Sequence, residues 1–502
     1  MNSLNHFQNE AVHYQGGHLL IVAGPGTGKT HTLTHRIKQS AKGLKSTEKI
    51  LAITFTNKAA EEMKERLKLD DDPAPSRFVV GTFHQFCLDI LKTYSDKLNL
   101  SKDFRVAEPE EVYSLVKNIW PDKTRKEVNR LLDEISRWKS AEFDTKMPEV
   151  VILCNQKLRE VHCLDFDDLL FFAWQLFNQN KNILGEVTSQ YKFIFVDEYQ
   201  DINCIQHVLL KILVQNEVCL TAIGDPNQAI YGFRGSNVAF FKSFQNDFKG
   251  AKVLRLSENY RSFKNILSAS SQVMANAQER HVPELTAKLF EEGRLIMKEC
   301  PTDKAEAEFV VHNIEKMIGG TSMFSQDSGR VETDKEGEAS FGDIAVLYRL
   351  KAQSFCLKEA FERSGIPYYI SGQKMDEDTV CPPRAEDLDR DAEKVSLMTL
   401  HAAKGLEFSV VFIVGCEEGL LPLSLLEWES DKEEERRLFY VGMTRAKTHL
   451  YLVRAKTRRL FGKIYHLQES PFLHDIEEDL KVYEKTDFKK NQKKNDEQMT
   501  LF

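Results

Sequence analysis

Short apolar runs rich in β-branched residues alternate along the chain with stretches whose apolar positions recur at helical spacing. HLLIVA (18–23), KILAITFT (49–56), RFVVGTF (77–83), KFIFVDE (192–198) and VCLTAIGD (218–225) read as strands buried on both faces. VLRLSENY (253–260), DIAVLYR (343–349), VSLMTLH (395–401), VVFIVG (410–415) and HLYLVRA (449–455) do the same in the second half. Strands that alternate with amphipathic helices predict parallel sheets flanked by helices, here an α/β fold of two lobes.

From about residue 93 to 185 the strand signal fades. EEVYSLVKNIW, NRLLDEISRWK and FDDLLFFAWQLF read as helices. The expected organisation is lobe one over 1–92 and 186–250, a helical insert over 93–185, and lobe two over 251–470. Residues 325–340 and 372–394 are polar and short of core residues, so they read as loops. The lysine-rich tail, 471–502, reads as flexible.

Composition narrows the class without deciding it. At ~100–200 residues per domain, 502 residues predict two to four domains. The net charge of −8 does not announce a nucleic-acid binder, so that case must rest on local evidence. Nine scattered cysteines with no C-x-x-C pair suggest reduced thiols in the cytoplasm, without disulfides or zinc. No signal peptide is visible in MNSLNHFQNEAV, and no apolar run reaches the ~18 residues of a membrane span.

AGPGTGKT (23–30) lies between a predicted strand and a predicted helix, the context of a phosphate-binding loop. Ala23, Gly24, Pro25, Gly26, Thr27 and Gly28 would form the turn that wraps ATP phosphates. Lys29 would reach the β/γ-phosphates and Thr30 would bind Mg²⁺. FIFVDEYQD (193–201) places two carboxylates at a strand's C-terminal end, where α/β sheets bind ligands. Asp197 would hold the metal, and Glu198 would orient and deprotonate the attacking water. Gln228, in GDPNQAIYGFRG (224–235), suits a sensor of the γ-phosphate.

AGPGTGKT, ITFTNKAAEEM, GTFHQFC, DFDDLL, VDEYQD, GDPNQAIYGFRGS, ENYRS, TLHAAKGLEF and YVGMTRAK occur in an order that resembles the UvrD/Rep-type superfamily 1 DNA helicases. The resemblance runs from residue 4 to about 455. It implies two RecA-like lobes with ATP between them, single-stranded DNA across the top and 3′-to-5′ movement. By position, Gln8 resembles the family's adenine reader, and Tyr260 the residue that stacks on the base. Arg261 and Arg445 resemble the two arginines that contact the γ-phosphate, and Glu407 the ribose contact. Phe55, Tyr231 and Phe233 match positions that stack DNA bases. Thr54, Asn57, His84, Arg234 and His401 match positions near the DNA strand. Phe83 and Phe86 lie in core-like patterns and read as packing residues.

Two departures stand out. His31 follows the P-loop threonine where the family commonly has arginine. The helical subdomain called 2B, which the family inserts before TLHAAKGLEF, has only the polar linker 372–394 in its place. The resemblance therefore implies a motor of three parts, able to translocate but with doubtful duplex unwinding. The ending, QMTLF, resembles a sliding-clamp-binding peptide, with Gln498, Leu501 and Phe502 as anchors. The alternatives are a translocase that strips bound proteins from DNA, and a clamp-associated DNA-binding factor without ATPase activity.

Overall fold

The computed structural model describes residues 4–68, 77–141, 146–215, 217–277, 285–319, 339–371, 393–425 and 430–484. Most of the linker and the clamp-peptide residues Gln498, Leu501 and Phe502 lie outside these.

Two parallel sheets organise the fold. The first has six strands in the order Phe78–Thr82, Lys49–Thr54, Tyr191–Val196, Cys219–Gly224, Leu19–Ala23 and Lys252–Leu256. All its pairings are parallel, so every strand delivers its C-terminal loop to one edge. That edge carries AGPGTGKT, VDEYQD, GDPNQ and the TFTN turn, as expected for a ligand crevice. Along Leu19–Ala23 alternate side chains enter different cores. Leu20 and Val22 pack with Phe171 and Ile205, whereas Leu19, Ile21 and Ala23 pack with Leu33, Ile37 and Met63. Burial on both faces explains why the strand reads as an unbroken apolar run.

The second sheet runs Tyr368–Ile370, Val395–Thr399, Ile344–Tyr348, Phe408–Val414, Ala446–Leu460, Arg294–Thr302 and Val482–Tyr483, again parallel. A hairpin, Lys463–His466, pairs antiparallel with the end of Ala446–Leu460.

Three expectations need correction. The sequence pattern puts Lys252–Leu256 in lobe two, but the strand pairs beside Leu19–Ala23 and closes the first sheet. The boundary at 470 is too early, because Phe472, Leu473 and Ile476 are buried in the second lobe's core and Val482–Tyr483 extends its sheet. The stretch 93–185 is not purely helical, since Arg105–Val106 and Cys163–Leu164 form a short parallel pair. In the insert, helices Pro109–Ile119, Arg125–Ser140 and Glu149–Glu160 surround their own core of Val116, Val128, Val151 and Leu158. Helix Phe166–Gln179 instead packs into the core of lobe one.

Candidate nucleotide and DNA site

The P-loop conformation depends on two glycines. Gly26 (φ 66°) and Gly28 (φ 80°) are left-handed. A side chain at Gly26 would meet Arg261 and Asn259, and one at Gly28 would meet the Gln8 amide. Helix Lys29–Ala41 begins at Gly28 with no side-chain cap, so its first N–H groups are free to meet phosphate oxygens. Thr27 Oγ1 donates to the Gly24 carbonyl at 2.8 Å, and the Pro25 carbonyl accepts from Asn259 Nδ2 at 2.7 Å. Lys29 Nζ reaches back to the Ala23 carbonyl at 3.4 Å. Thr30 lies half-buried in the first helical turn.

His31 Nε2 is buried without a hydrogen-bond partner among the described residues. Burial and the neighbouring charges of His35, Arg66 and Lys38 lower its pKa, which favours the neutral ring. It therefore does not supply the fixed positive charge of an arginine at this position.

Gln8 sits against the P-loop, and both ends of its amide are engaged. Nε2 donates to the Thr27 carbonyl at 3.0 Å, and Oε1 accepts the Asn5 N–H at 3.0 Å. The side chain fastens the first helix to the loop, so reading a base requires exchanging one of these bonds. Tyr260 is 46% exposed, and its hydroxyl accepts from Asn5 Nδ2 at 2.9 Å and donates to Glu258 at 2.6 Å. The ring therefore stands beside Gln8's own helix cap.

The acids emerge from Tyr191–Val196. Asp197 is buried, and burial together with Glu198 pushes its carboxyl up to about 7. Burial raises Glu198 too, but Lys29, Lys404 and a hydrogen bond from Gln200 at 2.5 Å bring it below the usual carboxylate range. Glu198 is thus the anionic partner of the pair. It has φ 50°, a left-handed conformation that costs a non-glycine residue about 1–3 kcal/mol and needs support from its surroundings. Part of that support is Gln200, whose Oε1 accepts the Asp225 N–H at 3.0 Å. A Cβ at Gly224 would collide with the same Oε1. The Thr30 hydroxyl and the Asp197 carboxylate are the hard oxygen donors that Mg²⁺ prefers, and the positive charge of Lys29 acts on Asp197 as well.

The lobes meet over this site. Gln228 is buried; its Nε2 donates to Asp225 at 2.6 Å, and its Oε1 accepts from Arg445 Nη2 at 3.3 Å. Arg445 is 2% exposed and also donates to the carbonyls of Val441 and Leu406. Burial and Arg261 lower its pKa to about 9, so the guanidinium stays charged at neutral pH. Arg261 Nε donates to Glu407 at 2.8 Å, and Glu407 also pairs with Lys447 at 2.9 Å. Arg261 follows directly on Asn259 and Tyr260, which are bonded to the P-loop at Pro25 and Gly26. It therefore sits at the crossover between lobes and not within lobe two.

Lys404 and Asp201 complete the contact, and sequence reasoning assigned them no role. Lys404 Nζ donates to both Asp201 oxygens, at 2.7 and 2.6 Å, and to the Gln228 carbonyl at 2.6 Å. The same ammonium lies 4.9 Å from the centroid of the Tyr231 ring. Tyr231 stacks on Phe55 with centroids 5.2 Å apart, and the row continues through Phe233 at 6.1 Å to His401 at 5.5 Å. Phe233 is 59% exposed and Arg234 lies over both Tyr231 and Phe233. The row thus offers an exposed aromatic face with a cation beside it, and it spans both lobes.

Other expected DNA residues are placed less simply. Thr54 is 2% exposed, and its hydroxyl is spent on the Thr56 carbonyl at 2.9 Å, which argues against a strand contact. Asn57 is exposed at the start of helix Asn57–Lys68. Burial and nearby cations lower His401 to about 3, so it is a neutral ring. Phe83 and Phe86 are core residues, as their pattern indicates. His84 stacks on Phe166 at 3.7 Å. Phe166 is 47% exposed at the start of its helix. Its neighbours Asp165 and Asp168 cap that helix and pair with the fully buried Lys139 at 2.5 and 2.6 Å.

The UvrD/REP helicase N-terminal domain matches residues 4–249, and the UvrD-like helicase C-terminal domain matches 254–375 and 382–457. "ATP-dependent DNA helicase PcrA" of Staphylococcus epidermidis is 29% identical over 652 residues, covering 96% of this chain and 87% of its own. The Bacillus subtilis protein of that name is 28% identical, covering 96% of this chain and 86% of its own, and the Staphylococcus aureus one is 29% identical with 96% and 87% covered. Among the described residues no helix is long and apolar enough to cross a membrane. With an aligned P-loop, paired acids and two arginines meeting at one crevice, the chain belongs to the UvrD/Rep family of ATP-dependent DNA helicases.

Proposed function

We propose that this protein moves 3′ to 5′ along single-stranded DNA, driven by ATP hydrolysis at the crevice between its lobes, and acts in DNA repair or replication. The observation that carries the reading is the link Asp225–Gln228–Arg445. It joins the lobe bearing the P-loop to the lobe bearing an arginine, within reach of Glu198.

In this reading Glu198 accepts a proton from the attacking water while the bond to the γ-phosphoryl group breaks. Lys29, Arg261 and Arg445 stabilise the charge that develops on the phosphoryl oxygens. Thr30 and Asp197 would hold Mg²⁺, which neutralises phosphate charge when bound. Gln228 senses the γ-phosphate, and Tyr260 with Gln8 receives the base. Loss of the γ-phosphate removes one of the charges that draw Arg445 toward lobe one, which favours separation of the lobes. DNA bases stack on Phe55, Tyr231 and Phe233, with Arg234, Asn57, His84 and His401 flanking the strand.

A second reading is a translocase that displaces bound proteins and opens duplex poorly. Its support is length: the alignment with the S. epidermidis relative spans 652 residues, against 502 here. The relative therefore carries long segments with no counterpart, consistent with the absence of a 2B subdomain. The C-terminal Gln498, Leu501 and Phe502 would tether either motor to a sliding clamp.

One experiment tests these readings: ATP hydrolysis and strand separation on 3′-tailed and 5′-tailed duplexes, with and without the last five residues. Hydrolysis should depend on single-stranded DNA and weaken with salt. Glu198→Gln should bind ATP yet stop turnover, and normal hydrolysis by that variant would refute the assigned base.

A further inference from the structure

Next to the strained Glu198, the chain turns into the interior of lobe one. Tyr199 is fully buried, its ring edge-on to Phe244 at 5.3 Å and beside Phe241 at 5.7 Å. Its hydroxyl lies 3.2 Å from His207 Nδ1. The His207 ring is stacked on Phe240 at 4.2 Å with 10° between planes. Its Nε2 faces Asp247 at 3.3 Å. Asp247 is itself held by Ser243 and by Lys211 at 3.1 Å.

These contacts set the direction of each hydrogen bond. The Asp247 carboxylate accepts from Nε2–H, which leaves Nδ1 as an acceptor for the Tyr199 hydroxyl. Burial lowers the pKa of His207 below its ordinary value, which agrees with a neutral ring. Together they form a buried polar line that starts one residue from Glu198 and ends near the surface of helix Ala239–Asp247.

We propose that the Tyr199–His207–Asp247 line is a positioning device for catalysis, anchoring the turn that holds the Glu198 carboxylate at the attacking water. The proposal rests on Glu198 being the base. Gln200 and Asp225 restrain that turn from the crevice side, and Tyr199 restrains it from the interior. Neither His207 nor Asp247 touches nucleotide. They act through Tyr199, so their effect falls on turnover and not on ATP binding.

The test compares Tyr199→Phe, His207→Phe and the double variant in the full-length protein. kcat and KM for ATP are measured with a saturating thymidine oligonucleotide, and melting temperature is measured alongside. Tyr199→Phe should lower kcat about tenfold, with KM within about twofold of wild type. His207→Phe keeps the stack on Phe240 but leaves the Tyr199 hydroxyl buried without an acceptor, so it should lower both kcat and melting temperature. The double variant removes both polar partners. It should regain most of the lost melting temperature while kcat stays as low as in Tyr199→Phe.

Recovery of kcat in step with melting temperature would mean the line serves stability alone, and would overturn the proposal. So would a Tyr199→Phe variant with wild-type kcat, a near-isosteric change that settles the matter even if His207→Phe fails to fold. Wild-type protein without oligonucleotide-dependent hydrolysis would instead bring down the catalytic reading, and the positioning role with it.

Discussion

Lys139→Met is the most exposing test of how the insert is held to the motor. Lys139 is 0% exposed and lies 2.5 Å from Asp165 and 2.6 Å from Asp168. Methionine replaces most of the apolar stem and carries no charge, leaving two buried carboxylates without a cation. Breaking a buried pair in this way costs about 3–5 kcal/mol.

Protonation offers partial relief. Burial and Asp165 already push Asp168 up to about 7 with Lys139 in place. The native carboxyl therefore binds its proton more tightly than the unfolded one, with a pKa near 4. Its stabilising effect is complete below that value and is lost as pH rises through the folded pKa. Without Lys139 the folded pKa moves higher, so the loss continues to higher pH, at about 1.4 kcal/mol per unit. The variant should be markedly less stable at pH 8 than at pH 6, and the wild type should change less over that range.

Intrinsic fluorescence suits the measurement, because Trp120, Trp138 and Trp174 lie in or beside the insert and the chain has 4 tryptophans. Urea unfolding at both pH values gives the difference. A loss under about 1 kcal/mol at pH 8, or one that does not depend on pH, would show that the pair behaves like an exposed one and would refute the reasoning.

Two further outcomes follow from the crevice. Phe233→Ala removes an exposed ring of the aromatic row and should weaken oligonucleotide binding by about 1–3 kcal/mol, with KM for ATP unchanged; fluorescence anisotropy and steady-state kinetics check this. Lys404→Met removes a cation shared by Asp201, the Gln228 carbonyl and the Tyr231 ring, and should lower DNA-stimulated kcat by roughly tenfold or more, read from hydrolysis at saturating oligonucleotide. Unchanged stimulation would mean that this contact between lobes is not coupled to turnover.

Much of this architecture is legible in the sequence. Strands such as Leu19–Ala23 are buried on both faces and appear as solid apolar runs, and the P-loop glycines are required by backbone geometry. Arg294–Thr302 was missed because its apolar core, LIM, is short and flanked by charge. Lys252–Leu256 reads as lobe two because chain order carries no sign of which sheet a strand joins. Asp201 and Lys404 each lie inside a noticed motif, yet a bond across 203 positions leaves no local trace. Thr54 shows the converse: a polar residue at a suggestive position donates its hydroxyl to its own turn, which a sequence motif does not reveal.

The placement of Lys252–Leu256 makes the two arginines unequal. Its last residue, Leu256, is registered against Ala23, and Asn259 and Tyr260 clasp Pro25 and Gly26. The Arg261 backbone is thus fastened beside the P-loop, while its guanidinium reaches across to Glu407 and to the Thr444 carbonyl of lobe two. Arg445 arrives on the opposite wall, just past the end of helix Lys432–Met443. Opening of the crevice would therefore break different bonds at the two: Arg261 would leave Glu407, and Arg445 would leave Gln228. One arginine keeps its backbone on the P-loop wall, and the other is carried wholly by the opposite wall.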